Sequence, residues 1–144
     1  MMTQSTAHCD RARVTAAGMR PPIATGPEFI LNYWGAPLHY STPDGREWLR
    51  DKAAVVDLLK HNHDRLRVHG YSHTAIPDRK VTIYHDAGAA VEVIWSRCRV
   101  DGSEIERLAV HFEVSRASLG WRVDAIQAAP TTADSLDAAW RGTW

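Results

Sequence analysis

The stretch AAVEVIWSRCRVDGSEIERLAVHFEVSR, residues 89–116, contains two long runs rich in β-branched and aromatic residues on either side of a polar turn. Residues of these types favour strands, and polar residues with glycine between them favour a turn. The turn at 100–104 is too short for a crossover connection, so the two strands are predicted to pair antiparallel. An isolated hairpin is only marginally stable, so this one is expected to belong to a larger sheet.

Two further strands are predicted beside this hairpin. KVTIYHD (80–86) precedes it across the turn at 86–88, and GWRVDAIQ (120–127) follows it across the turn at 117–120. These connections are also short, which implies antiparallel neighbours. The second half of the chain is therefore predicted to form an antiparallel meander.

The first half of the chain is predicted to be mainly helical. The predicted elements are a two-turn helix at 29–34, a strand at 38–42, a turn at 43–45 and a long helix at 47–69. In the long helix Val55, Leu59 and Leu66 share one face, and Gly70 supplies a residue that ends helices. Helices followed by a run of strands predict an α+β fold.

The length of 144 residues predicts one domain. Prolines and glycines in the stretch before residue 27 oppose regular structure. The predicted organisation is a flexible or short-helix N-terminal segment at 1–26, the domain at 27–130 and a C-terminal tail at 131–144. In the tail, Thr132 or Asp134 is a possible cap for a short helix that runs through Trp140.

Composition and charge exclude several classes of function. Seventeen basic and seventeen acidic side chains cancel, whereas nucleic-acid binders usually have a basic excess, so no nucleic-acid partner is expected. No apolar run is long enough to span a membrane, and residues 1–20 lack the apolar core of a signal peptide. Cys9 and Cys98 form no disulfide framework, so a cytoplasmic location and no membrane partner are predicted.

Taken together, these elements resemble the nuclear transport factor 2-like superfamily, and within it the SnoaL-like and ketosteroid-isomerase-like proteins. The resemblance is carried by YWGAPLHYSTPDG (33–45) before the long helix and by GWRVDAIQ (120–127) in the last strand, and it covers residues 27–128. It implies a cone-shaped, curved antiparallel sheet wrapped around N-terminal helices, with an internal apolar pocket. It also implies a homodimer formed through the sheet.

The resemblance does not imply a reaction, because the superfamily contains enzymes, ligand sensors and partner-binding domains. The chain departs from the pattern in two places. Residues 1–26 can supply only a short, broken version of the long first helix of the family. SnoaL-like enzymes often have an aspartate just after the second helix, where this chain has Pro37, and this puts a cyclase in doubt.

Alternation along the strands gives the candidate pocket residues. The more apolar side of each strand is expected to face the helices and the pocket. The candidate ligand-pocket residues are Tyr33, Tyr40, Trp95, Arg97, Phe112 and Gln127. Arg97 is the sharpest polar candidate, since a guanidinium in an apolar cup can pair with a carboxylate on a ligand. The alternative is that Arg97 lies at the strand end and reaches solvent.

The segment HNHDRLRVHGYSH (61–73) is rich in histidine. His61 and His63 are two residues apart and would point about 200° away from each other on a helix, so they cannot share a metal ion. His63 falls within the apolar face of the helix, where it is a candidate acid/base near neutral pH or a hydrogen-bonded core residue. No metal site is predicted, and no cofactor-binding motif is present.

Two functions remain open, and the sequence does not decide whether the chain is an enzyme. The first is a small-molecule pocket protein, either a binder or a SnoaL-like isomerase, hydratase or cyclase, whose ligand is apolar and carries a carboxylate or carbonyl. The alternative is a non-catalytic dimeric interaction module with a closed or vestigial pocket. A cavity volume separates them, because a pocket below about 100 Å³ cannot hold a drug-sized ligand.

Overall fold

The computed structural model describes residues 34–118, 120–140 and 142. In this part of the chain the elements, in order, are strands β1 (Trp34–Thr42) and β2 (Gly45–Leu49), helix α1 (Lys52–Val68), strands β3 (Tyr71–His85), β4 (Gly88–Arg99), β5 (Glu104–Ala117) and β6 (Gly120–Pro130), and a 3₁₀ helix at Leu136–Ala138. The predicted elements at 1–33 lie outside the described residues.

The six strands form one mixed sheet in the order β2-β1-β6-β5-β4-β3. Neighbouring strands are antiparallel except β1 and β6, which are parallel. The α+β class is confirmed, but the predicted all-antiparallel sheet is wrong. The helices were predicted to precede the sheet, but α1 follows strand β2. Register shifts occur in four of the five strand pairings, and such bulges bend and twist a sheet.

The long helix begins later than predicted. Gly45–Leu49 is a strand that pairs with β1, and the helix begins at Lys52. Trp48 is 60% exposed and Leu49 is 5% exposed, which is the alternation of a strand. A helix that began at residue 47, as predicted, would have placed both on one apolar face. The Asp51 side chain caps the true start of the helix by accepting a hydrogen bond from the Ala54 N–H at 2.9 Å.

Three predicted strands are confirmed as β4, β5 and β6, whereas β3 is much longer than the predicted 80–86. The additional part of β3 contains Pro77, which cannot donate a hydrogen bond to the neighbouring strand. The register shift between Ala75 and Asp78 accommodates it. Trp34, predicted to lie in a helix, begins β1.

The core lies between α1 and one face of the sheet, called here the inner face. Val55 and Leu66 of α1 are buried there. The buried residues of this core are Leu38, Leu49, Val55, Val93, Val110, Phe112, Val123 and Ile126. The tail forms a 3₁₀ helix after Ser135 instead of the predicted helix through Trp140, and the Leu136 N–H donates to Asp78 at 2.8 Å.

Cys98 is fully buried and disulfide-bonded, contrary to the sequence prediction, and Cys9 lies outside the described residues. Disulfides persist mainly in oxidising compartments, so this bond removes the cysteine argument for a cytoplasmic location. Among the described residues, no helix is long and apolar enough to cross a membrane.

The opposite face of the sheet, called here the outer face, carries a histidine between two carboxylates. His111 Nδ1 lies 2.8 Å from Glu92 Oε2, and His111 Nε2 lies 3.3 Å from Glu113 Oε2. Burial lowers the pKa of His111, but the hydrogen bonds and negative charges of Glu92 and Glu113 outweigh it and raise the pKa above the usual value. The charged imidazolium is therefore stabilised in the folded chain.

We expect the stability that His111 supplies to depend on pH. Because its folded pKa is raised above about 6.5, the contribution is fully present below that pH and is lost as the pH rises through the folded pKa. Chemical denaturation from pH 5 to 9 should show a gap in unfolding free energy between the wild type and His111→Gln that narrows at high pH. His61→Gln, an exposed change on α1, is the matched control. A gap that stays constant with pH would contradict the assignment.

We expect Asp51→Ala to lower the free energy of unfolding by about 1 kcal/mol, because it removes the N-cap of α1. Asp57→Ala changes an exposed aspartate within the same helix and should have little effect or a small stabilising one, since alanine favours helix. Urea denaturation followed by circular dichroism measures both. Equal losses for the two variants would show that the cap contributes nothing specific.

Candidate functional site

A pocket with a volume of about 240 Å³ lies between α1 and the inner face of the sheet. The helix contributes Leu59 and Leu66 to its walls, and the strands contribute aliphatic and aromatic side chains from β1, β4, β5 and β6. The polar members of the lining are Tyr40, Asn62, His63, Arg65, Tyr71 and Arg97. The pocket is thus largely apolar with a set of polar groups, as ligand sites generally are.

Three aromatic rings form one wall of the pocket. The ring of Phe112, which is 8% exposed, lies 6.3 Å from the ring of Trp34 and 5.6 Å from that of Trp95. The interplanar angles are 60° and 57°, close to the edge-to-face arrangement that aromatic pairs favour. Phe112 therefore packs against both tryptophans. The wall presents aromatic surfaces in defined orientations to a ligand.

Two arginines of the lining, Arg65 and Arg97, pair with one carboxylate, that of Glu106, in a charged cluster called here the Arg–Glu–Arg cluster. Arg65 of α1 donates from both terminal nitrogens to Glu106, at 3.1 and 3.3 Å. Arg97 Nε lies 3.2 Å from Glu106 Oε2, and Glu106 is the cross-strand neighbour of Arg97. Two positive charges share one negative charge, so the cluster carries a net positive charge.

The Arg97 guanidinium is more deeply placed than that of Arg65. Its central carbon lies 4.8 Å from the centre of the Trp95 ring, within the range of a cation–π contact. Burial lowers the pKa of Arg97, and the nearby Glu106 carboxylate opposes that effect without cancelling it. Among the described residues, the buried Nε atom donates no well-formed hydrogen bond, despite its closeness to Glu106. Arg97 therefore retains capacity for an acceptor.

The structure brings together most of the residues that the sequence suggested for the site. Tyr40, Trp95, Arg97 and Phe112 all line the pocket, as does His63. Tyr33 lies outside the described residues. The alternative prediction, that Arg97 lies at a strand end and reaches solvent, is wrong, because only 19% of its side chain is exposed.

Gln127 is exposed and lies outside the pocket, which corrects its prediction as a lining residue. The cause is a bulge in β6. Ala125 pairs with Glu113 and Val123 pairs with Val114, so Asp124 has no partner of its own. One additional residue reverses the alternation beyond it. The side chains that reach the pocket from that end of β6 are therefore Ile126 and Ala128.

His63 lies at the pocket but is exposed, so the reading of it as a core histidine is wrong. The buried face of α1 runs through Val55 and Leu66, and His63 lies beside that face. This placement leaves the imidazole accessible to water and to a pocket ligand. Within the described ranges, no group of three or more histidine, cysteine or acidic side chains is arranged to hold a metal ion.

Sequence reasoning missed Arg65, Tyr71 and Glu106. A signal for Glu106 was present, since it shares the inner face of β5 with Leu108, Val110 and Phe112. A carboxylate in such an apolar row calls for a cationic partner. No comparable signal marked Arg65, which is one of several charged residues near the end of the helix.

Solved structures with the same fold share little sequence with this chain. An NTF2-like protein with a cystatin-like fold from Novosphingobium aromaticivorans is 20% identical, with a TM-score of 0.56 over 78% of this chain and 71% of that one. A candidate ketosteroid isomerase from Parabacteroides distasonis is 7% identical, with a TM-score of 0.58 over 88% and 96%. The yeast UBP3-associated protein BRE5 is 7% identical, with a TM-score of 0.57 over 74% and 82%.

These likenesses establish the fold alone, because proteins of one fold carry many activities. No protein of curated function matches the chain. The model of one family, NTF2-like protein (DUF6841), matches residues 13–131. This match confirms the resemblance drawn from the order of the sequence motifs. The chain belongs to the DUF6841 family of NTF2-like proteins.

Proposed function

We propose that this protein binds a compact, largely apolar small molecule that carries a carboxylate. The observation that carries the proposal is the Arg–Glu–Arg cluster in a pocket that has an aromatic wall. The cluster has one carboxylate for two guanidinium groups, and a ligand carboxylate would supply the second. The aromatic wall would take the apolar part of the same molecule.

The pocket volume limits the size of the ligand. The pocket volume is about 240 Å³. Pockets for drug-sized ligands measure roughly 300–1,000 Å³. The volume fits a one-ring or short branched acid rather than a multi-ring molecule, and it exceeds the limit of about 100 Å³ set for a vestigial pocket.

The electrostatics favour an anion over a neutral ligand. Arg97 stays partly desolvated beside Glu106, so a second negative charge would stabilise its charged form. Hydrogen bonds between a guanidinium and a carboxylate are about twice as strong as neutral ones. A ligand with only a carbonyl could accept from the same nitrogen, but it would leave the excess charge unbalanced.

His63 is the candidate acid/base if the pocket also performs chemistry. It lies in the lining, where its imidazole would be within reach of a bound ligand, as proton transfer requires. The reaction classes that suit one imidazole near a polarised carbonyl are those of an isomerase, hydratase or cyclase. The structural likeness to a candidate ketosteroid isomerase supports this only at the level of fold.

The second candidate is a non-catalytic interaction module whose pocket binds no ligand. The observation in its favour is the small pocket volume, which lies below the usual range for drug-sized ligands. A homodimer formed through the sheet belongs to this reading and stays a prediction. The two candidates differ in whether changes to the pocket alter ligand affinity.

We expect Arg97→Gln to weaken binding of benzoate by about tenfold or more, because it removes a charge-assisted hydrogen bond. Isothermal titration calorimetry with benzoate, and with neutral benzamide as the paired probe, measures the effect. Benzamide affinity should fall less, because its carbonyl carries no charge. Arg79→Gln removes an exposed arginine outside the pocket and is the matched control. Equal benzoate affinity in the wild type and Arg97→Gln would contradict the proposal.

Glu106→Gln tests the same cluster in the opposite direction. It removes the negative charge that competes with a ligand for Arg65 and Arg97, while keeping the shape of the side chain. Benzoate should therefore bind more tightly to this variant, and benzamide should not. Weaker benzoate binding would show that Glu106 holds the arginines in the binding geometry rather than competing with the ligand.

We expect His63→Ala to fold normally, because the side chain is exposed, and to bind benzoate with unchanged affinity. If His63 transfers protons, deuterium incorporation into a small β-keto acid in D₂O should slow by about 10²-fold or more. Nuclear magnetic resonance follows that exchange, with His61→Ala as the control on the same helix. If the wild type accelerates no exchange of an acid that it binds, the pocket is a binding site only.

A further inference from the structure

Strand β3 forms one edge of the sheet, and its two halves differ in protection. The first half contains Pro77 and a register shift, and the tail reaches it through the hydrogen bond from the Leu136 N–H to Asp78. Prolines, bulges and covering segments are the usual ways in which proteins protect a sheet edge. Every residue of the second half, 79–85, is exposed.

This second half, called here the open edge, is suited to pairing with another strand. Val81, Ile83 and Tyr84 are 58%, 65% and 55% exposed, and residues of these types favour strands. The stretch contains no proline or glycine. Beyond β3 the sheet has no further strand within the described part of the chain, so the outward N–H and C=O groups of the open edge have no strand partner there.

The turn beyond the open edge is held in a fixed shape. His85 Nδ1 accepts a hydrogen bond from the Ala87 N–H at 3.1 Å. The His85 ring also lies against Gly88, where a Cβ would be 2.7 Å from two ring atoms. The hairpin of β3 and β4 therefore ends in a packed turn. The open edge is already an extended strand, to which another strand can pair.

We propose that the open edge pairs with the same edge of a second copy of this chain, antiparallel about a two-fold axis at Ile83. Charge favours this occupant. The edge has Arg79 and Lys80 at one end and Asp86 just beyond the other, all exposed. Antiparallel self-pairing about Ile83 places Lys80 of each copy opposite Asp86 of the other copy. Cross-strand pairs of opposite charge stabilise a sheet.

The other edge of the sheet is a poorer partner. Strand β2 has five residues, three of which are Gly45, Arg46 and Glu47. Pairing of β3 with β2 would also be head-to-tail, which leaves free edges and forms open chains, whereas self-pairing of β3 closes a dimer. The proposed dimer uses an edge of the sheet and so differs from one formed through the outer face.

Sedimentation velocity of the full chain over a range of concentrations tests the pairing. The wild type should show a reversible monomer–dimer equilibrium. Ile83→Lys places two like charges together at the axis and removes apolar contact from both copies, so the dimer dissociation constant should rise by about tenfold or more. Val100→Lys, at a valine that is 78% exposed outside β3, is the matched control and should leave the dimer intact.

A charge exchange tests the register. Lys80→Glu and Asp86→Lys should each weaken the dimer, and the double variant should restore it, because the opposite charges meet again. Circular dichroism verifies that each variant is folded. The proposal is overturned by a wild type that stays monomeric at all concentrations, by a dimer that Ile83→Lys leaves unchanged, or by open-ended higher oligomers. Failure to restore the dimer in the double variant overturns the register.

Discussion

The packing of α1 against the inner face of the sheet is the contact on which the pocket depends. Val55 and Leu66 are buried in this contact, and the cavity is the space that the helix and the strands leave between them. The ion pair of Arg65 with Glu106 joins the same two layers, but Arg65 is substantially exposed, and such pairs contribute little free energy. Apolar burial therefore holds the helix against the sheet, and the ion pair positions the charged groups of Arg65 and Glu106.

Stability alone does not account for the Arg–Glu–Arg cluster. Burying charges is costly, and a well-packed apolar set in their place is often as stable or more so. Arg97 is half-buried and has a lowered pKa, and its buried Nε donates no well-formed hydrogen bond to the described residues. It lies beside an aromatic wall that would tolerate an apolar neighbour. A group with a perturbed pKa beside a specific charged partner in a cavity is a candidate for a functional site. The excess positive charge of the cluster is what would select an anionic ligand.

The sequence predicted the parts of the fold in which one local pattern decides the outcome. The long alternating strands and Arg97 on the inner face of β4 follow directly from a period of two. Prediction failed where a pattern was short or interrupted. Trp48 and Leu49 fit a helix and a strand equally well until β1 pairs with them, and Gln127 faces outwards because of one additional residue at Asp124. Neither pairing nor a bulge is visible in the sequence.

The pocket and the open edge lie at opposite ends of β3. Tyr71 lines the pocket at the start of the strand and Ile83 is twelve residues further along, up to about 40 Å for an extended chain. Coupling between them would require β3 to slide along β4, and a slip by one residue would exchange the two faces of the strand. The register shifts between Ala75 and Asp78 and between Ile83 and His85 oppose such a slip. Ligand binding and self-association are therefore expected to be independent properties of one strand.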